Sequence, residues 1–218
     1  MYFTIVKFYT NEVMRKTVLF IVVFLLSKFI FSQSLEVIPF TGYMFGGHIK
    51  YIEGKINIDD GQNYGISICT PVKGGIVDLE LNYTRMGSNM SFSPYSGFGY
   101  HPVESHLETN YFQIGGIKKV EIASEKIIPF GSFSLGATWF DSSEFNDVWR
   151  FSAILGAGIK FMFSEKVGII ARGRLMMPME FAGIGFYVGT GGSGLNTNSY
   201  ITPVQGDFSV GLVFKIGK

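Results

Sequence analysis

Residues 150–163 read RFSAILGAGIKFMF. Phe151, Ala153, Leu155, Ala157, Ile159, Phe161 and Phe163 occupy every second position, while Arg150, Ser152, Gly156, Gly158 and Lys160 stand between them. A strand sends alternate side chains to opposite faces, so this spacing separates an apolar face from a small, polar one; a 3.6-residue helix would mix the two sets. Residues 204–216 repeat the pattern, with Val204, Phe208, Val210, Leu212, Phe214 and Ile216 against Gln205, Asp207, Ser209, Gly211 and Lys215. Both segments outrun the usual five or six residues of a strand and reach the roughly 9 to 11 that a membrane-crossing strand needs.

The same period recurs in both directions along the chain. Val167, Ile169, Ala171 and Leu175 alternate with Gly168, Arg172 and Arg174; Phe133, Leu135, Ala137 and Trp139 with Ser132, Ser134, Gly136 and Thr138; Val77, Leu79, Leu81 and Tyr83 with Asp78, Glu80, Asn82 and Thr84. Tyr64, Ile66 and Ile68 alternate with Asn63, Gly65 and Ser67, and weaker alternation marks 36–45 and 111–120. The reading gives eight strands, at 35–46, 63–72, 75–86, 109–120, 126–140, 148–163, 166–178 and 203–217. Short turns at 73–74, 121–125 and 164–165 alternate with long connections at 47–62, 87–108 and 179–202 and a medium one at 141–147. An even strand number, with short turns at one end and long loops at the other, is the pattern of an all-β, antiparallel, up-and-down transmembrane barrel of eight strands.

Composition fits. Charged residues are 16% of the 218 and Gly is 28 of them, a mix too uncharged for a disordered chain or coiled coil, and without the basic field a nucleic-acid binder needs. Bulk decides which face meets lipid. The polar faces are rich in Gly and Ser, as the narrow interior of eight strands demands, whereas the Phe, Leu, Ile and Trp of the apolar faces would overfill it. Trp139 and Trp149 bracket the 141–147 loop, where an aromatic belt at the outer interface would put them, and Phe161, Phe163 and Phe214 fall near the opposite rim.

The first segment has a different character. Arg15 and Lys16 precede the apolar run 17–26, which ends in Ser27, Lys28 and a small residue at Ser32. A basic region, a short apolar core and a small residue describe a secretory signal peptide over 1–32, with 1–13 as an upstream extension before Met14. The barrel then occupies 33–218 and carries 14 basic and 16 acidic residues, a net charge of −2. Cys69 is the only cysteine, so no internal disulfide forms and no cysteine follows the apolar core to take a lipid.

The stretches EVIPFTGYMFGG (36–47), GKINIDDGQNYGISI (54–68) and LELNYTRM (79–86), with the ending GLVFKIGK, resemble small Gram-negative outer-membrane β-barrel proteins of the OmpX, OmpW and OmpA transmembrane type. The resemblance implies an integral outer-membrane location, membrane lipids and lipopolysaccharide as neighbours, and handling by the outer-membrane assembly machinery. It names no activity. The chain departs from the common terminal Phe, since Ile216, Gly217 and Lys218 follow Phe214.

Three functional readings follow. The first is non-enzymatic, structural or surface-interacting, with loops 87–108 and 179–202 contacting a surface protein or lipopolysaccharide, because long exposed connections carry function. The second is passage of small apolar solutes, as in OmpW-like barrels. The third is lipid-modifying catalysis, for which His101, Glu104, Ser105 and His106 are the tempting cluster; neighbours along a loop are not a triad in space, and metal binding by His101, Glu104 and His106 meets the same objection. Asp59-Asp60-Gly61 reads as a turn rather than a calcium loop, glycine-rich 183–194 as a mobile loop rather than a phosphate cradle, and no pattern calls for a cofactor or a resident metal. By the alternation, Asp78, Glu80, Arg150, Lys160, Arg172, Arg174, Asp207 and Lys215 point into the lumen. Charges in so narrow a space must pair, so Asp207 is expected beside Arg172 and Arg174, with Asp78 and Glu80 facing Lys160 and Lys215.

Overall fold

The computed structural model describes residues 35–50, 54–72, 77–97, 101–122, 124, 126–143, 147–189, 192–201 and 204–217. The signal peptide expected at 1–32 lies outside them, as do 73–76 around the first expected turn.

Eleven strands follow in chain order, and no helix occurs among the described residues: β1 (Leu35–Met44), β2 (Gly47–Lys50), β3 (Gly54–Ile58), β4 (Gly61–Pro71), β5 (Val77–Pro94), β6 (Val103–Lys119), β7 (Ile127–Ser142), β8 (Val148–Met162), β9 (Val167–Gly189), β10 (Gly192–Ile201) and β11 (Gln205–Ile216). Eight of them close a ring in the order β1, β4, β5, β6, β7, β8, β9, β11, every neighbour antiparallel. The ring shuts where β1 meets β11, from Leu35 opposite Ile216 to Met44 opposite Asp207. Closure leaves no unpaired edge around the barrel wall, which is what a sheet in lipid requires.

Three expected loops are partly strand. β2 and β3 form a small hairpin inside 47–62, β3 pairs with the extension of β5 at Met90–Pro94, and β6 begins at Val103 rather than near 109. Residues 183–189 and 192–194 of the glycine-rich segment belong to the β9–β10 ribbon, in which Gly189 faces Gly192 and Met179 faces Ile201. Beyond the belt both faces of a strand meet water, so the hydrogen-bond ladder continues while apolar alternation stops. The short-turn end is held by local bonds: Ser164 Oγ accepts from the backbone amides of Lys166 and Val167, and Ser124 Oγ from that of Ile127.

The outer wall carries Leu79, Leu81, Ile114, Phe133, Leu135, Phe151, Leu155, Ile159, Leu175, Val210 and Leu212, all exposed. The polar residues Asn82, Thr84, Gln113, Ser152, Arg172, Asp207 and Ser209 are buried inside. This is a soluble protein turned inside out, and the only solvent that suits such a wall is lipid. The interior also holds two apolar layers. Ile38, Cys69, Ile117, Phe130, Met162, Ile170 and Val213 pack at the short-turn end, and Met44, Ile58, Met86, Leu107, Tyr111, Ile154 and Met176 toward the long-strand end.

Candidate functional site

The interior between those layers is filled by charge. Alternation on β9 aims Arg172 and Arg174 inward, and the two guanidiniums lie 4.3 and 5.0 Å from the ring centroid of Phe40 on β1. Phe40 has that place because Gly65 on neighbouring β4 carries no side chain: a Cβ there would sit 2.5 Å from the Phe40 ring and 2.0 Å from the Tyr83 carbonyl oxygen.

Arg174 makes a bidentate pair with Asp207, Nε donating to Oδ1 at 2.8 Å and Nη2 to Oδ2 at 2.6 Å, while Nη1 donates to Asn82 Oδ1 and Thr84 Oγ1. Asn63 Nδ2 adds a third bond to the Asp207 carboxylate, at 2.8 Å. Arg172 turns the other way: Nη1 donates to Glu80 Oε1 at 2.8 Å and Nη2 to Ser67 Oγ at 3.2 Å. The expected grouping of both arginines on Asp207 is therefore corrected, because Glu80 across the lumen takes one of them.

Around the ring, β5 and β9 are four strands apart in either direction. The bonds from Arg172 to Glu80 and from Arg174 to Asn82 and Thr84 thus cross the full diameter. Tyr111 on β6 and Gln205 on β11 are opposite in the same way, and the Tyr111 hydroxyl donates to Gln205 Oε1 at 2.7 Å.

Toward the short-turn end a second group alternates in sign. Lys160 Nζ donates to Glu36 Oε2 at 2.5 Å and lies 3.9 Å from Asp78 Oδ2; Lys119 Nζ donates to Asp78 Oδ1 at 2.9 Å; Lys215 stands 3.6 Å from Glu36 Oε1. Lys215 therefore faces Glu36 rather than the expected Asp78 and Glu80. Lys160, Glu36 and Asp78 are almost wholly buried, a setting that lone charges do not tolerate. Arg150 is a correction of another kind. It lies at the long-strand end, half-buried, with Nη1 on the Trp149 carbonyl oxygen, outside the buried group.

Glu36, Lys119 and Phe40 were missed by sequence reasoning. β1 buries Ile38, Phe40 and Met44 on its inner face beside Glu36 while Pro39, Thr41 and Tyr43 face out, so its apolar period is out of phase with the other strands and conceals the carboxylate.

On the outer wall Trp139 and Trp149 are directly opposed in the β7–β8 ladder, and their rings stack at 5.6 Å. Trp139 Nε1 donates to Asp147 Oδ2, and Phe112 and Tyr83 continue the aromatic row along β6 and β5. At the other rim Phe161 and Phe163 meet edge to face at 5.3 Å, with Phe214 exposed nearby on β11. His48 lies in β2 and His106 in β6 rather than in loops; Glu104 and His106 point away from buried Ser105, whose hydroxyl meets those of Ser142 and Ser143. Among the described residues no group of three His, Cys, Asp or Glu side chains is placed to hold a metal.

No protein-family model and no curated protein matches this chain. Solved structures do. The outer membrane protein OprG from Pseudomonas aeruginosa superposes with a TM-score of 0.59 at 10% identity, over 85% of this chain and 97% of that one. Neisserial surface protein A superposes with a TM-score of 0.52 at 13% identity, over 84% and 97%. At such identities the likeness speaks for architecture alone, and together with the lipid-suited wall it shows that this chain has the fold of the small outer-membrane β-barrels.

Proposed function

We propose that this protein is a non-enzymatic outer-membrane barrel, exported by the segment 1–32, whose lumen is shut and whose role is structural or surface-interacting through its long outer end. The observation that carries this is the set of bonds spanning the lumen: Arg172 to Glu80, Arg174 to Asn82 and Thr84, and Tyr111 to Gln205, each joining opposite walls. An interior tied across its diameter leaves no path for solute, so recognition falls to the ends. The β2–β3 hairpin, the extensions of β5 and β6 and the β9–β10 ribbon all project from one end, and they are the surfaces on offer to lipopolysaccharide or a surface protein.

Passage of small apolar solutes is the competing reading. Liposomes containing the protein separate the two: no faster swelling in small sugars or amino acids, and no faster uptake of an apolar dye, is the result expected. Uptake that persists when 181–201 is deleted would transfer the function to the lumen. For the surface role, cells displaying the intact barrel should bind purified lipopolysaccharide or a partner cell surface more strongly than cells displaying that deletion.

A further inference from the structure

Among the described residues the two ends of the barrel carry opposite charge. At the short-turn end Lys118, Lys126 and Lys166 are exposed and make no ion pair among the described residues, and Lys119 and Lys215 keep about a quarter of their side-chain surface outside; among the described residues Glu121 and Glu165 are the exposed acids there. Among the side chains described at the long-strand end, six acids, Asp59, Asp60, Glu104, Glu108, Asp141 and Asp147, outnumber Lys55, Arg85 and Arg150.

A second feature fixes the depth of the lysines. The short turns expose large apolar side chains beside them: Val72 at 49%, Val120 at 53%, Ile122 at 47% and Phe163 at 59%. Lys118 and Lys126 flank Val120 and Ile122 in one turn, and Lys166 stands between Phe163 and the wall residue Val167 in another. Apolar residues at a strand end belong at the boundary of the acyl chains, which puts the neighbouring ammonium groups at headgroup level.

We propose that this lysine rim binds the anionic headgroups of phospholipids in the leaflet that faces the short turns. The inference rests on the transmembrane reading of the fold and adds a lipid class to it. Each ammonium at the surface of an anionic leaflet gains electrostatic attraction, and three with no ion partner among the described residues give a preference over zwitterionic lipid without any built pocket. The acidic opposite rim gains nothing there, so the barrel has one favoured direction in an asymmetric bilayer.

Native mass spectrometry of the full barrel, released from bilayers of equal phosphatidylglycerol and phosphatidylcholine, tests this. Several-fold more phosphatidylglycerol than phosphatidylcholine should stay bound. The excess should fall toward parity in Lys118→Gln/Lys126→Gln/Lys166→Gln and persist in Asp141→Asn/Asp147→Asn. Raising salt from about 0.1 to 1 M, which shortens the screening length from about 10 to about 3 Å, should lower the wild-type preference even if the triple variant fails to fold. Equal retention of the two lipids by wild type, an undiminished preference in a folded triple variant, or retention of isolated peptidoglycan in place of lipid would overturn the proposal. A wild-type chain that does not enter the bilayer at all would instead sink the transmembrane reading.

Discussion

Asp207 is the residue on which the interior is most finely balanced. Its carboxylate receives two bonds from Arg174 and one from Asn63, all buried, so removing it leaves a buried guanidinium without its counter-charge. Breaking one partner of such a pair typically costs about 3 to 5 kcal/mol, whereas replacing both by apolar groups costs little. Asp207→Ala should therefore lower the unfolding midpoint in detergent more than Asp207→Ala combined with Arg174→Met, and equal losses in the two would show that the pair is not coupled. Gly65 gives a steric counterpart. Its missing Cβ makes room for the Phe40 ring under both arginines and for the Tyr83 carbonyl oxygen, so Gly65→Ala should cost about 1 to 3 kcal/mol in chemical denaturation, as overpacking does; an unchanged midpoint would mean that the Phe40 ring and the Tyr83 backbone both give way without cost.

At the scale of elements, what the sequence made legible was whatever lipid selects. β8 and β11 have Phe151, Leu155, Ile159, Phe161, Phe208, Val210, Leu212 and Phe214 exposed on one face, and their alternation was visible at once because every second residue must be apolar. β10 and the outer parts of β5, β6 and β9 were not visible, since strands beyond the membrane are held by backbone pairing with no lipid to impose a period. The interior pairs were legible only by sign: Arg174 with Asp207 follows from adjacent strands in register, but Arg172 with Glu80 depends on where the ring closes, which no local pattern states. β10 lies off the ring and pairs with β9, so deleting 181–201 should leave a barrel that still migrates differently on gels before and after heating. Loss of that behaviour would make the ribbon part of the folding unit. Protease added to intact cells should cut among 87–108 or 179–202; protection of both with cleavage at 121–125 would mean the barrel is inserted upside down.

The described residues form a closed wall with a filled core, the inverse of a soluble barrel in its surfaces. Eight strands leave an interior that side chains can fill, and here two apolar layers and two charged groups fill it in turn. The wall explains where the protein resides, and the filling is the reason we propose that recognition falls to the ends. That division fails if ions pass. Single-channel recording of the purified protein in a planar bilayer, with insertion verified by protease protection, is the most direct measurement: the structure predicts a silent membrane for wild type, and long-lived, well-resolved openings of uniform size would contradict it.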